Sequence, residues 1–154
     1  MNKYNFKDFF NLNNNKIEYI SYSMQDTLNL AYEFAKFLKK KDIVVLNGEL
    51  GSGKTVFVNG IATFFGIENE VCSPTFTIVN EYNSKYENIY HFDVYRLENE
   101  LQFIDTIGTD YFYNGISIIE WGNIIKNILP KTAIYIDITK IDDTTRNICI
   151  RRDL

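Results

Sequence analysis

The sequence predicts an α/β fold of one domain, with a mixed central sheet flanked by helices and a C-terminal β-hairpin. Three observations carry that expectation. Ile43-Val44-Val45-Leu46 is a short continuous apolar run, the pattern of a strand covered on both faces, and Ile116-Ser117-Ile118-Ile119 reads as a second strand, ending at Glu120. Leu28, Ala31, Phe34, Ala35 and Leu38 recur with helical period. Ile134, Ile136 and Ile138 alternate on one arm, and Ile148 and Ile150 on another, as in a hairpin. Strand, helix, strand, helix and further strands in that order make a layered α/β arrangement. A chain of 154 residues fits one domain, divided here into an N-terminal extension, 1–15, and a folded domain, 16–154.

The elements follow in order. Met1 to Asn15 is polar and Asn-rich with a Phe9–Phe10 pair, and carries no apolar signal segment. Residues 16–22 read as a strand, after which Ser23 caps a helix with Asp26 three residues on in a capping-box arrangement. Lys39-Lys40-Lys41 suits a solvated helix C-terminus, where cations meet the dipole. After the strand at Ile43–Leu46 comes a Gly-rich turn, then a helix from about Lys54 to Phe65 with Gly66 as its C-cap. Strands are expected near 76–82, 88–95 and 116–120, and short helices near Glu98 and Trp121.

Composition excludes several classes. Hydrophobic residues at 45% and charged residues at 23% are globular values. The net charge of −4, from 16 basic and 20 acidic residues, disfavours autonomous binding to a nucleic-acid backbone, which calls for a basic surplus. Cys72 and Cys149 alone make neither a disulfide framework nor a metal site. No run approaches about 20 apolar residues, so a cytosolic protein is expected. The abundance of Phe and Tyr, 12 and 11, reads first as genome composition.

Residues 48–55, Gly-Glu-Leu-Gly-Ser-Gly-Lys-Thr, fit the phosphate-binding pattern G-x-x-x-x-G-K-[ST] between an apolar strand and a helix. That context makes the fold class a single P-loop NTPase-like domain. The glycines let the backbone N–H groups of Glu49, Leu50, Gly51, Ser52 and Gly53 turn inward around phosphate oxygens, and the following helix adds its N-terminal dipole. Lys54 is expected to reach the β- and γ-phosphates of ATP, and the Thr55 hydroxyl to ligate magnesium.

Such a loop needs acidic help at the end of a neighbouring strand. Glu120 ends the run Ile116–Ile119 and suits a second metal ligand, since ligands bind at the carboxyl edge of open α/β sheets. Asp93 ends Tyr90-His91-Phe92-Asp93, and spacing alone leaves it either a functional acid or a salt-bridge partner of Arg96. His91, the only histidine, reads as a core or rim residue rather than a base. Trp121 fits either core packing or the nucleotide pocket. Ser73-Pro74-Thr75-Phe76-Thr77 fits a simple turn or a loop that senses the γ-phosphate.

Taken together, Gly48 to Thr55, Ser73 to Thr77, Glu81-Tyr82 on to His91-Phe92-Asp93-Val94-Tyr95-Arg96-Leu97, and Ile119-Glu120-Trp121-Gly122 resemble the TsaE family. These are bacterial ATPases required for threonylcarbamoyladenosine synthesis on tRNA, and the likeness spans roughly residues 20–152. The resemblance implies that Lys54 and Thr55 hold phosphate and magnesium, that Glu120 is the second metal ligand, and that Asp93 is the acid linked to hydrolysis. It likens Thr75 and Thr77 to a switch, places Trp121 by the nucleotide, and sets Thr27 and Arg146 near the adenine. It further implies action with the partner proteins TsaB and TsaD, whose complex the ATP cycle would reset, with tRNA reached only indirectly. Cys72 before the S-P-T motif and residues 1–14 depart from the family pattern.

Rival readings are a nucleotide or small-metabolite kinase, which would need an Arg-rich region where this chain has only Arg96, Arg146, Arg151 and Arg152, and a nucleotide-gated binding module with negligible turnover. A small GTPase fits poorly, because no N-K-x-D motif follows the loop.

Overall fold

The computed structural model describes residues 4–67, 71–72, 74 and 78–153. Among them, seven strands form one sheet: β1 (Lys16–Ser21), β2 (Ile43–Asn47), β3 (Val79–Tyr82), β4 (Ile89–Asp93), β5 (Ile116–Glu120), β6 (Ile134–Lys140) and β7 (Arg146–Arg152). Their spatial order is β1-β7-β6-β2-β5-β4-β3. The inner strands β6, β2, β5 and β4 run parallel, while β3 closes one edge and the β7–β1 pair the other, all antiparallel. This is the mixed sheet expected, and β6–β7 is the expected hairpin.

Helices cover both faces, because β2 and β5 carry apolar side chains on both. On one side lie α1 (Phe6–Phe10), α2 (Met24–Ala35) and α3 (Lys54–Phe64), whose Phe9, Phe34, Phe57 and Ile61 pack on Leu46, Ile118 and Ile136. On the other lie α4 (Glu100–Thr106), α5 (Tyr111–Asn114) and a 3₁₀ helix, Gly122–Ile128, with Phe103, Phe112 and Ile125 packed on Val45, Phe92 and Ile119.

Both predicted caps form. Ser23 Oγ accepts from the Asp26 amide at 3.1 Å, and the Asp26 carboxylate accepts from the Tyr22 amide at 3.0 Å, one residue before the usual capping-box partner. At the C-terminal end of α3, the P-loop helix, Gly66 adopts φ +77°, with Gly66 N–H on Thr63 O and Ile67 N–H on Ala62 O, a Schellman closure.

Two expectations change and a third is met. Helix α2 ends at Ala35, and the bonds Phe37 N–H to Phe34 O and Leu38 N–H to Ala35 O tighten the next turn, so Lys39 to Lys41 lie in the connection beyond the helix. The short helix expected near Trp121 forms as a 3₁₀ helix, starting from a left-handed residue with no side-chain cap. Within 1–15, where no element was expected, Phe6–Phe10 is helical. Phe9 is fully buried there, its carbonyl accepts from Arg152, and that guanidinium lies 4.4 Å over the Phe9 ring.

The tightest helix contact sits at Gly60 in α3, where an added Cβ would lie 2.5 Å from Ala31 Cβ and 2.6 Å from Leu28 O of α2. An exposed helical Gly→Ala change gains about 1 kcal/mol. Gly60→Ala is expected to do the reverse and lower stability by roughly 1–3 kcal/mol, as overpacking does. A denaturant midpoint that rises in Gly60→Ala would show that the two backbones do not touch there.

Candidate functional site

The site is built by strand register. In the parallel ladder Leu46 of β2 pairs with Glu120 of β5, and Glu120 pairs with Asp93 of β4, so three strands end in one row. Residues 48–53 rise from β2 directly above that row, the carboxyl edge where open parallel sheets bind ligands. Gly48 is required by space as well as by its φ of +157°, since a Cβ would meet Ser52 Oγ at 2.4 Å and Ile138 O at 2.8 Å. Gly53 precedes α3 in the left-handed region and offers no side-chain cap, leaving the first amides of the helix free for an anion.

Lys54 is buried inside its own loop. Its ammonium donates to Gly48 O and to Glu49 O at 3.3 Å, and lies 4.8 Å over the Trp121 ring. Trp121 in turn packs on Tyr95, ring centroids 5.0 Å apart. The Trp121 backbone is left-handed, φ 63° and ψ 30°, an arrangement that costs a bulky residue about 1–2 kcal/mol. Strain of that kind concentrates at functional sites.

A cavity of about 640 Å³ opens between these groups, walled by Gly53, Lys54, Thr55, Asp93, Glu120 and Trp121. Asp93 is buried, its Oδ1 accepts from the Tyr95 amide at 3.1 Å, and its own amide donates to Ile78 O at 2.8 Å. Ile78 has φ 69°, rare for a β-branched residue, and its amide donates to Pro74 O. The backbone of Asp93 is thus tied through Ile78 to Pro74. Thr75 itself, with Ser73, Phe76 and Thr77, lies outside the described residues.

A second cleft of about 310 Å³ adjoins across the loop and shares Gly51, Gly53 and Val56 with the first. It brings together Thr27 and Arg146, far apart in sequence, along with Met24 and Thr144. Thr27 is buried and its hydroxyl lies 2.6 Å from Ser21 Oγ, which donates to Ser23 O at 2.8 Å. With the Ser21 proton engaged, Thr27 is the donor of that pair and offers only lone pairs to the cleft. Arg146 faces the loop backbone, donating to Ser52 O at 2.8 Å, Gly51 O at 3.4 Å, Asp142 O at 2.7 Å and Thr145 O at 3.1 Å. The amides of Thr144 and Thr145 hold the Asp142 carboxyl below the usual carboxylate range and stiffen that turn.

Of the predicted set, Lys54, Thr55, Asp93, Glu120 and Trp121 share one cavity, and Thr27 and Arg146 share the next. Ser52 is buried with its hydroxyl unpartnered among the described residues, an orphan that fits a phosphate oxygen arriving in the loop. The side chains of Glu49 and Leu50 are exposed, Leu50 to 95%, and Leu50 stands at the rim of the cavity. The sequence reading missed the bond between His91 and Glu120, 2.8 Å from Nε2 to Oε2 and fully buried. Period two places His91 and Asp93 on one strand face, yet only the β4–β5 register reveals that Glu120 shares it. Among the described residues no three His, Cys, Asp or Glu side chains converge. The donors on hand, a hydroxyl and carboxylate oxygens, suit magnesium, which keeps waters and substrate phosphates in its shell.

These features define the chain as an α/β protein with a P-loop NTPase-like domain. The family model of the threonylcarbamoyl adenosine biosynthesis protein TsaE matches residues 21–148. The tRNA threonylcarbamoyladenosine biosynthesis protein TsaE of Bacillus subtilis is 39% identical over 126 residues, 80% of this chain and 78% of that protein. The protein of the same name from Treponema pallidum is 36% identical, over 85% of this chain and 97% of its own length. A crystal structure of Bacillus subtilis YdiB superposes with a TM-score of 0.75 at 33% identity, covering 89% of this chain and 85% of that one. The chain belongs to the TsaE family. Among the described residues, no helix is long and apolar enough to cross a membrane.

Arg146 acts here as a strut between the C-terminal hairpin and the loop. Arg146→Met is expected to lower stability by roughly 1–2 kcal/mol, the scale of charge-assisted bonds discounted for partial exposure. Arg146→Lys, lacking the planar fork, should recover less than half of that. Equal unfolding midpoints for wild type and Arg146→Met would remove the strut.

Proposed function

We propose that the chain binds ATP with magnesium, hydrolyses it slowly, and supports threonylcarbamoyladenosine modification of tRNA together with TsaB and TsaD. One observation carries the chemistry: Lys54, Thr55, Asp93 and Glu120 line a single cavity against the uncapped start of α3. The loop amides would take the phosphates, and Lys54 would exchange its carbonyl partners for phosphate oxygens, which bind an ammonium more strongly. Asp93, across the cavity, would orient the attacking water in line with the γ-phosphate. Magnesium, held by Thr55 and Glu120, would supply charge neutralisation on the phosphates when bound. The base would occupy the adjoining cleft, where the lone pairs of Thr27 favour the amino group of adenine over the carbonyl of guanine.

Lys54 is the one cation among the described residues that wall the cavity, which supports slow turnover by the chain alone. The partners rest on family membership, and the net charge of −4 favours an indirect relation to tRNA.

Magnesium-dependent ATP hydrolysis is the test, run with the pure chain and then with TsaB and TsaD added. The expected result is slow turnover that rises only when both partners are present and falls at least about 100-fold in Lys54→Ala. Brisk turnover indifferent to the partners would instead favour a kinase and a search for its acceptor. Full magnesium-dependent activity in Glu120→Ala would remove that residue as the ligand.

A further inference from the structure

We propose that His91 is a positioning residue, which holds one oxygen of Glu120 so that the other is presented to magnesium in the cleft. The inference rests on the reading of Glu120 as a metal ligand given above. Both side chains are buried, His91 fully and Glu120 to 3% exposure, and they meet at 2.8 Å. An ionised carboxylate only accepts, so His91 Nε2 carries the proton and donates it. Nδ1 is then a lone pair, buried and without a partner among the described residues.

A histidine in a sheet face otherwise lined by Ile89, Ile116 and Ile118 is a poor packing choice, because a leucine would fill that space without burying an unpaired nitrogen. Its one side-chain hydrogen bond among the described residues, to Glu120, is what accounts for it. The register explains the reach: His91 lies opposite Ile118, and Glu120 stands two residues further along β5 on the same face. Asp93 lies directly opposite Glu120, so anchoring Oε2 to the imidazole also keeps the two acids at set places across the ladder. Carboxylates that ligate metals are commonly held this way, and loss of the outer partner typically weakens metal binding about 10–100-fold.

The experiment compares full-length wild type, His91→Leu and His91→Gln, whose amide can still donate to Glu120. Calorimetry gives ADP affinity in EDTA and in magnesium, and the paramagnetic signal of Mn²⁺ gives metal binding to the ADP-bound chain directly. In His91→Leu, affinity without metal should stay within about twofold of wild type while the gain from magnesium shrinks about 10–100-fold, and His91→Gln should restore most of the gain. If His91→Leu does not fold, His91→Gln against His91→Asn, whose amide stops short, decides the same point. The proposal falls if His91→Leu keeps the full magnesium gain, or if affinities with and without metal drop together, as a merely structural role would require. A wild type with no magnesium gain at all would overturn the metal reading of Glu120 itself, and this inference with it.

Discussion

Parallel pairing of β2 with β5 on one side and β6 on the other boxes the chain beyond Asn47 between the end of β5 and the continuing β6, which runs on to Lys140. The loop that follows must turn at once, pass over Glu120, and start a helix within a few residues. Gly48 meets that demand where any side chain would strike Ser52 Oγ and the Ile138 carbonyl. From this constraint follow the uncapped start of α3 and the closeness of Lys54 to the acids of β4 and β5. The contact of α2 with α3 at Gly60 then sets where the helix lies over the sheet.

Charge in the site is arranged so that Lys54 and Glu120 are each held by neighbours other than one another. Lys54 rests on two carbonyls and an indole face, all weaker partners than a phosphate. Asp93 accepts from a backbone amide, and Glu120 from one imidazole. Among the described residues no salt bridge joins Lys54 to Glu120. An anion entering between them therefore meets a cation and a helix N-terminus on the loop side, with oxygen donors for a cation on the sheet side.

Much of this was legible in the sequence where local chemistry decides the outcome. Ser23 and Gly66 cap their helices because hydroxyl capping and a left-handed C′ glycine act over a few residues. The motif at 48–55 was readable because its glycine spacing is itself the geometry. What lay hidden depends on contacts between distant segments. Phe6–Phe10 is too short to show a period, and it is helical because its rings are buried against the core and held by Arg152. His91 looked like an ordinary buried residue, since its partner is fixed by strand register. Arg146 was placed near the base by resemblance, whereas its donors reach the loop carbonyls, a contact no spacing rule encodes.

The sheet order has a consequence for how the molecule comes into being. Synthesis delivers β2, the phosphate loop and α3 early, yet one flank of β2 belongs to β6, and β1 has no partner until β7 exists. Ile138, whose carbonyl crowds Gly48, and Arg146, which braces Gly51 and Ser52, are both in that final hairpin. Contacts so distant along the chain slow folding, and until they close β2 offers an unpaired edge. Emergence of the last strands from the ribosome is therefore the step that completes both the sheet and the bracing of the loop.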